Sequence, residues 1–236
     1  MRILSIDWDY FMNCSDEFRA LNFPDGGNER IGSALSTWIW GSRYGFNPEI
    51  EKVKLLESDL DAVKKLLDYN KGCYYLITAD SHKHLGEFIL APDMEKTFEK
   101  EDIYIANIDH HHDAYGIGDA LNCGNWINKV VEKYPKTKID WVGNCDSDKV
   151  ELENVSRVSL DSLKEKDFDI VYLCRSGVWS PPHLDKQFGV LNRFANKRAA
   201  HTLFREEIPN RWDSDFQKDV AQNRKMREEA RKALAQ

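Results

Sequence analysis

The sequence lacks the features of secreted, membrane-spanning and nucleic-acid-binding proteins. Its five cysteines contain no Cys-x-x-Cys pair and follow no secretory signal, so a disulfide framework is not expected. No uninterrupted apolar run approaches the roughly 20 residues that a membrane-spanning helix requires. The formal net charge of -7 argues against a general nucleic-acid binder, whose affinity depends on neutralising phosphates. We therefore expect a cytoplasmic protein that binds neither nucleic acid nor a membrane.

Repeats, low-complexity tracts and linkers are also absent. The 236 residues, of which 42% are hydrophobic, suffice for one α/β domain with a sizeable core. We expect this single domain to cover residues 1–236, with a charged and mostly helical segment at about 186–236. A solvated terminal helix is the simplest interpretation of that segment. A contact with a partner, or with a second copy of the chain in a homo-oligomer, is the alternative.

Short apolar runs that alternate with helical patterns indicate a fold of the α/β class. Strands are expected within 3–11 and over 73–78, 103–106, 138–142, 155–160 and 168–174. Helices are expected over 31–44 and from Pro48 to about Tyr69, and the segment 13–32 is expected to be a long loop. Strands separated by helices form a parallel sheet that binds ligands at the carboxyl ends of its strands. We therefore predict a three-layer sandwich with a mainly parallel central sheet.

The most informative stretch is 107–113, Asn-Ile-Asp-His-His-His-Asp, which follows an apolar strand. In extended backbone, Asp109, His111 and Asp113 project to one side of the strand. Oxygen ligands combined with imidazole suit manganese, zinc or iron better than calcium. The stretch therefore indicates a transition-metal site, and a polar loop with three adjacent histidines is the alternative.

Two further carboxylates, Asp7 and Asp9, end the first strand with the same spacing of two residues. Paired aspartates at a strand end also occur as turn formers or helix caps. Two unpaired carboxylates beside a buried strand are unfavourable, however, unless a cation or hydrogen-bond donors meet them. Together with the 107–113 stretch they supply five ligands, enough for two divalent ions bridged by shared carboxylates. The combination predicts a binuclear metal hydrolase.

Four segments carry a resemblance to a known superfamily: SIDWDYF at 5–11, IDHHHD at 108–113, NCGNW at 122–126 and CRSGVWSPPH at 174–183. Asp-x-His-x-Asp together with Asp-x-Asp resembles the arginase and histone-deacetylase superfamily. The four segments resemble its peptide-arginase branch, whose members convert peptidyl arginine to ornithine. The resemblance covers the chain to about residue 185 and implies two manganese ions, or one zinc ion, at the ends of parallel strands. In ordinary arginases the Asp-x-Asp strand follows the Asp-x-His-x-Asp strand, whereas here it precedes it.

The resemblance also implies a ligand set. One further histidine is taken from a different strand, and we expect His82 to supply it, with His84 as a substitute and a helix cap at Asp80 or Ser81 as the alternative. The expected cofactors are two Mn2+ ions with a bridging water or hydroxide. Asp7 and Asp109 are expected to bridge the ions, His82 and Asp113 to complete the shell of one ion, and Asp9 and His111 to complete the shell of the other.

Candidates for proton transfer and substrate binding are less sharply defined. Ordinary arginases place a proton-shuttling histidine in a loop where this chain has the segment 122–125, which contains none. The catalytic candidates are therefore His112, His183 and Asp80. The substrate-binding candidates are Glu29, Asn122, Asn125 and Arg175. The segment 175–183 is expected to be a rigid, exposed rim over the active site, and a salt bridge from Arg175 to a structural aspartate is the alternative.

The expected reaction is hydrolysis of the guanidinium group of an arginine residue in a ribosomal precursor peptide, which gives ornithine and urea. The metals follow from the residues, whereas the guanidinium and peptide preferences follow from the resemblance alone. A metal-dependent phosphoesterase is one alternative, although the upstream histidine of that class is missing. A zinc amide hydrolase of the deacetylase kind is a second, against which Asp9 argues. The third is a non-catalytic, metal-stapled peptide-binding protein, in which protein ligands would close the site.

Overall fold

A parallel sheet of seven strands organises the part of the chain that the computed structural model describes, residues 1–24, 33–98 and 102–234. The strands are β1 (Arg2–Asp7), β2 (Tyr75–Ala79), β3 (Tyr104–Ile108), β4 (Lys138–Val142), β5 (Val155–Arg157), β6 (Ile170–Cys174) and β7 (His201–Arg205). Their order across the sheet is β5-β4-β3-β1-β6-β2-β7, and every neighbouring pair is parallel. Parallel neighbours need crossover connections, and helices supply them.

Eight α-helices lie within the described residues. They are α1 (Asp16–Asn22), α2 (Ser33–Phe46), α3 (Glu57–Tyr69), α4 (Lys83–Leu90), α5 (Pro92–Phe98), α6 (Trp126–Lys133), α7 (Asp185–Asn196) and α8 (Ser214–Leu234). Over the described ranges, none of these helices has the length and the apolar character needed to cross a membrane.

Apolar clusters cover both faces of the sheet, because successive strand residues point to opposite sides. Leu4 and Ile6 of β1 belong to one cluster, which also contains side chains of α3, α7 and α8. Ile3 of the same strand belongs to the other cluster, with side chains of α4 and α6. The predicted α/β class and three-layer arrangement, with a parallel central sheet, are thereby confirmed.

Several predicted element boundaries are wrong. The helix expected from Pro48 to Tyr69 is interrupted: a short 3-10 helix covers Pro48–Lys52, and α3 begins only at Glu57. Between them the chain is extended, because Leu56 N donates to Phe11 O and Asn13 N donates to Lys54 O. This tertiary pairing overrides a continuous helical pattern.

The expected loop at 13–32 contains a helix, and the charged segment after residue 186 contains a strand. Ser15 Oγ accepts a hydrogen bond from Phe18 N and begins α1, as an N-cap serine does. Residues 25–32 lie outside the described part of the chain. The unexpected strand β7 is at the edge of the sheet and is mostly exposed, so it lacks the apolar run that marks the buried strands.

The four strands β3, β1, β6 and β2 lie side by side in the sheet. Because all are parallel, their carboxyl ends meet at one edge. The chain leaves these ends into the segments that begin at Asp109, Trp8, Arg175 and Asp80. The polar clusters of the sequence are thus collected at a single edge.

Candidate metal centre

His82 lies at the middle of a buried cluster of carboxylates. It is 2% exposed and caps α4, just beyond the end of β2. Its Nδ1 atom lies 3.1 Å from Asp7 Oδ2, 3.1 Å from Asp109 Oδ2 and 2.9 Å from Asp113 Oδ2. We call Asp7, His82, Asp109 and Asp113 the first ligand group. One imidazole nitrogen facing three carboxylates is a donor set for a transition metal.

A second ligand group, Asp9, Asp109 and His111, adjoins the first. Nδ1 of His111 lies 3.2 Å from Asp9 Oδ2 and 4.0 Å from Asp109 Oδ1. The ligand atoms of these three residues lie close enough together to hold one ion. Asp109 therefore presents Oδ2 to the first ligand group and Oδ1 to the second, which is the arrangement of a bridging carboxylate.

The surroundings of the Asp9 carboxylate are those of a metal ligand. Asp9 is fully buried, yet neither of its oxygens has a hydrogen-bond partner among the described residues. Arg19 is also buried, and its Nη1 atom approaches Asp9 Oδ2 only to 3.6 Å without a hydrogen bond. A buried polar atom without a partner costs about 1–3 kcal/mol, and more if it is charged. A metal ion held by the second ligand group would remove that cost.

Cys174 adds a third donor type that the sequence analysis did not consider. Its thiol is fully buried at the end of β6, and Asp7, His82 and Cys174 could also hold an ion. Cys174 pairs with Asp7 in the sheet, so the two side chains leave neighbouring strands on the same face. A thiolate ligand would favour zinc or iron over manganese. Buried groups that can bind a metal are therefore present, with oxygen, nitrogen and sulfur all within reach.

The pKa values of the carboxylates reflect this crowding. Burial, with the charge of Asp9 as the next cause, raises the pKa of Asp7 to about 6. Burial and then the charge of Asp113 raise the pKa of Asp109 to about 7. Without a cation, Asp7 therefore stays mostly protonated below about pH 6 and Asp109 below about pH 7, where ordinary aspartates are ionised.

Burial lowers the pKa of the two ligand histidines, but neighbouring groups raise it by more. Burial lowers the pKa of His111, but the charge of Asp9 outweighs it and raises the value to about 9. Burial alone would raise the pKa of Asp9, yet His111 and Arg19 bring it well below its usual range. The pKa of His82 is raised well above its ordinary value, because neighbouring Cys174 and Asp7 oppose the effect of burial. Both imidazoles thus favour their protonated form when no metal is bound.

Neighbouring side chains orient the ligands. Ser5 Oγ lies 2.8 Å from Nε2 of His82, and Trp126 Nε1 donates a 2.6 Å hydrogen bond to Asp113 Oδ2. The sequence analysis missed both residues. Ser5 could have been identified, because it lies two residues before Asp7 on the same face of β1. Arg19 had no such signal, since it lies in a segment that was predicted to be a loop.

A cleft of about 840 Å3 opens beside the ligand groups. It is lined by Asp7, His82, His111 and Asp113 and by residues of the segment 115–124. The indole of Trp179 also lines the cleft and packs against His111, with ring centroids 5.0 Å apart. The ligand groups are therefore accessible from one side.

Two cleft residues have an unusual backbone conformation. Asp113 has a φ of 53° and Ser176 a φ of 50°, both in the left-handed region. Ser176 Oγ donates a 2.5 Å hydrogen bond to Asp7 Oδ2, so one of these residues belongs to the first ligand group and the other contacts it. Residues other than glycine seldom adopt such φ values, and those that do are found most often at functional sites.

The predicted exposed rim at 175–183 is wrong, because Arg175 is fully buried. Its Nε and Nη2 atoms donate to the two carboxylate oxygens of Asp80 at 2.7 and 2.5 Å, and Nη1 donates to Asp185 Oδ2 at 3.4 Å. Asp80 also accepts from Gly177 N. The alternative, a structural ion pair, is what the structure contains. Neither Arg175 nor Asp80 lines the cleft.

Arg211, from the C-terminal part of the chain, extends this buried network. It donates to both oxygens of Asp185, at 2.8 and 2.7 Å, and also to Gly177 O and Ser180 O. These hydrogen bonds fix the backbone of the loop that carries Ser176 and Trp179. This network of alternating charges positions the loop, but its own charged side chains do not line the cleft.

The other proposed site residues are divided between the cleft and the core. Asn125 is 2% exposed, its amide bonds to loop carbonyls, and it does not line the cleft. Asn122 lines the cleft, although its amide also bonds within the loop. Glu29 lies outside the described residues. His84, the substitute for His82, lines the cleft and bonds to Glu87 at 2.7 Å.

The two candidate proton-transfer histidines do not contact the ligand groups. His183 Nδ1 bonds to Tyr44 Oη at 2.5 Å and its Nε2 to Val53 O at 2.9 Å, so both nitrogens are occupied in the core. His112 Nδ1 accepts a hydrogen bond from Ala114 N, and the ring packs on Tyr115. Burial lowers the pKa of both histidines. Neither histidine lines the cleft.

All six predicted metal ligands are therefore together at one edge of the sheet, beside a cleft, and Asp109 links their two groups. The substrate and proton-transfer candidates are mostly elsewhere. Comparison of the chain with protein-family models, curated proteins and solved structures gave no match.

Proposed function

We propose that the protein is a binuclear metal hydrolase that converts arginine residues of a peptide to ornithine, with release of urea. The observation that carries this proposal is Asp109, whose two carboxylate oxygens face separate ligand groups, and other members of both groups line a cleft. A site closed by its protein ligands would suit a structural metal, whereas a site that opens to a cleft suits catalysis.

The proposed ligand roles follow the two groups. His82 and Asp113 would complete the shell of one ion, Asp9 and His111 would complete the shell of the other, and Asp109 would be shared. Asp7, which was also expected to be shared, lies with His82 in the first group. Manganese suits this excess of oxygen ligands. When bound, the two cations would lower the pKa of a water molecule and so supply the nucleophile for hydrolysis.

The chain's own residues would bind and orient the substrate. Trp179 beside His111 offers an aromatic face against which a planar cation can lie. Ser176 donates a hydrogen bond to Asp7 and so keeps this carboxylate oriented toward His82.

The choice of arginine within a peptide rests on the resemblance of four sequence segments to peptide arginases. The volume of the cleft supports this choice, because about 840 Å3 is more than one side chain requires. An enzyme for free arginine would need fixed polar groups for the α-ammonium and α-carboxylate. The segment 115–124 instead lines the cleft with Ile117, Ala120 and Leu121, which offer no such groups in their side chains.

One incubation tests the proposal. Manganese-loaded protein is mixed with an arginine-containing peptide, and both peptide mass and urea are measured. Guanidinium hydrolysis predicts a loss of about 42 mass units per arginine and one urea for each loss. Protein treated with a chelator, and the Asp109→Ala variant, should be inactive.

Other outcomes would replace the proposal. Cleavage of a phosphoester without release of urea would indicate a phosphoesterase, and deacylation of an acetyl-lysine peptide would indicate an amide hydrolase. A metal-loaded protein that binds peptides and turns over none of these substrates would indicate a binding protein.

A further inference from the structure

The cleft extends well beyond the ligand groups. Its volume of about 840 Å3 lies in the range of pockets that enclose a whole drug-sized ligand. Ligand-group residues line part of the cleft, and residues of the segment 115–124, which we call the 115–124 wall, line another part. A substrate that fills the cleft must therefore contact this wall as well as the metal centre.

Apolar side chains face the cleft from this wall. Ile117 and Leu121 both line it, and Ile117 is 56% exposed. Ile117 and Tyr115 lie over Gly124, where a Cβ atom would come within 3.4 Å of each of the two side chains. Leu121 packs in the same way on Gly86 of α4, where a Cβ atom would lie 2.9 Å away. The two glycines thus make room for a continuous apolar surface.

Hydrogen bonds inside the segment hold this surface in position. Asn125 Nδ2 donates to Ile117 O at 2.9 Å and to Ala120 O at 3.0 Å, and Asn125 Oδ1 accepts from Asn122 N at 2.8 Å. A loop that is already ordered loses little conformational entropy when a ligand binds. An exposed isoleucine on such a loop gains free energy when another apolar side chain covers it.

The charged side chains on the same side of the cleft are paired with each other. Lys83 lies 3.0 Å from Glu87 Oε1, and His84 lies 2.7 Å from Glu87 Oε2. Neither of these two cleft residues therefore offers an uncompensated charge to a charged neighbour of the arginine. The wall is suited to an apolar occupant.

We infer that Tyr115, Ile117 and Leu121 form a subsite for an apolar side chain adjacent to the target arginine in the peptide. This inference rests on the proposed function, because it places the arginine beside the ligand groups. The residue before or after the arginine then lies along the 115–124 wall. The substrate is accordingly a peptide in which an apolar residue neighbours the arginine that is converted.

The test uses two pairs of peptides that differ only by leucine or serine, either directly before or directly after the arginine. With the manganese-loaded full chain, kcat/KM should be at least about tenfold higher for leucine at one of the two positions. Ile117→Ser should remove most of this preference, because it should lower kcat/KM for the leucine peptide by a much larger factor than kcat/KM for the serine peptide. Val190→Ser is the matched control, because Val190 is 48% exposed on α7 and does not line the cleft.

Equal values for leucine and serine at both positions would overturn the subsite and leave the hydrolysis intact. An undiminished leucine preference in Ile117→Ser would overturn it too. If no arginine peptide is hydrolysed, the proposed function fails, and calorimetric binding of the same peptides to the metal-loaded protein decides the subsite separately. Tighter binding of a leucine peptide, lost in Ile117→Ser, would support it, whereas equal binding would reject it.

Discussion

Ser5 Oγ lies 2.8 Å from Nε2 of His82, while the other ring nitrogen, Nδ1, faces the carboxylates of the first ligand group. The imidazole is further enclosed by Trp126 and Tyr172, with ring centroids 5.6 and 5.7 Å away. A hydroxyl on one nitrogen therefore fixes which nitrogen is presented to a metal. Partners of this kind orient a ligand before the ion arrives.

Replacing this hydroxyl should weaken metal binding without removing a ligand. We expect Ser5→Ala to lower Mn2+ affinity by about 10–100-fold, the usual effect of losing an orienting partner. Calorimetric titration measures it. Thr78→Val is the control, since the Thr78 hydroxyl is equally buried but bonds to Asn192. Equal affinities for wild type and Ser5→Ala would show that the ring is held by packing alone.

The position of Asp109 between the two ligand groups predicts a difference between two alanine variants. Asp109→Ala should remove both ions, because it deletes a ligand from each group. Asp9→Ala should remove or loosen one ion, because Asp9 belongs only to the second group. Metal analysis of the purified variants measures the stoichiometry. Retention of two ions per chain by Asp109→Ala would mean that the site is misassigned.

Metal affinity should rise with pH. The pKa values of His111, about 9, and Asp109, about 7, are both raised, so the folded metal-free protein holds protons that a metal must displace. Mn2+ titrations between about pH 6 and pH 9 should show increasing affinity together with proton release. His111→Gln should lack the part of the rise nearest pH 9. Affinity that does not change over this range would contradict the protonated state of the cluster.

The same shift has the opposite effect on the stability of the metal-free protein. The stability contributed by His111 is fully present below its ordinary pKa of 6.5 and is lost as the pH rises through about 9. Urea unfolding in the presence of a chelator measures this loss. Increasing pH should thus weaken the metal-free fold while it strengthens metal binding.

Arg211 should be important for stability although it lies far along the chain from every ligand. Arg211→Met leaves Asp185, which is 4% exposed, with one weaker ionic partner, and we expect a loss of about 3–5 kcal/mol in the free energy of unfolding. Arg198→Met is the control, because the bond from Arg198 to Asp68 is exposed and should contribute at most about 1 kcal/mol. Similar losses from both variants would argue against a special role for the buried network.

Arginine within a peptide should be a better substrate than free arginine. An enzyme for the free amino acid needs a closed pocket with polar groups for both charged ends, whereas this cleft has an open apolar wall. We expect kcat/KM to be at least about tenfold higher for the peptide, or about 1.4 kcal/mol of differential transition-state binding. Comparable values for both substrates would reject the peptide preference and leave the metal site intact.

Residue spacing at strand ends was the most informative feature of the sequence. Asp7 and Asp9, like Asp109 and His111, follow apolar strands at intervals of two, and a parallel sheet brings such ends to one edge. His82 also follows an apolar strand, but its choice as a ligand came from the resemblance to arginases, which take one further histidine from a different strand. These ligands depend on local pattern and on one general property of parallel sheets, so their proximity was predictable.

The errors concern contacts over long sequence separations. Two prolines suggested that the Arg175 segment was exposed, but its burial depends on Asp80 and on Asp185, which no local pattern identifies as partners. The break before Glu57 likewise depends on hydrogen bonds to the chain near Phe11. Strand β7 has an exposed pattern that resembles a loop. Burial of charge and pairing of extended segments arise in the tertiary structure, so a local pattern does not encode them.

The central position of β1 has a consequence for the order of folding. Ile3 of β1 pairs with Ile105 on one side and with Ile170 on the other, so two long loops must close before this strand has both neighbours. We therefore expect the carboxylates of Asp7 and Asp9 to stay hydrated until late in folding. A divalent cation that joins them to Asp109 can bind only after that step. We expect it to slow unfolding and to leave the folding rate almost unchanged.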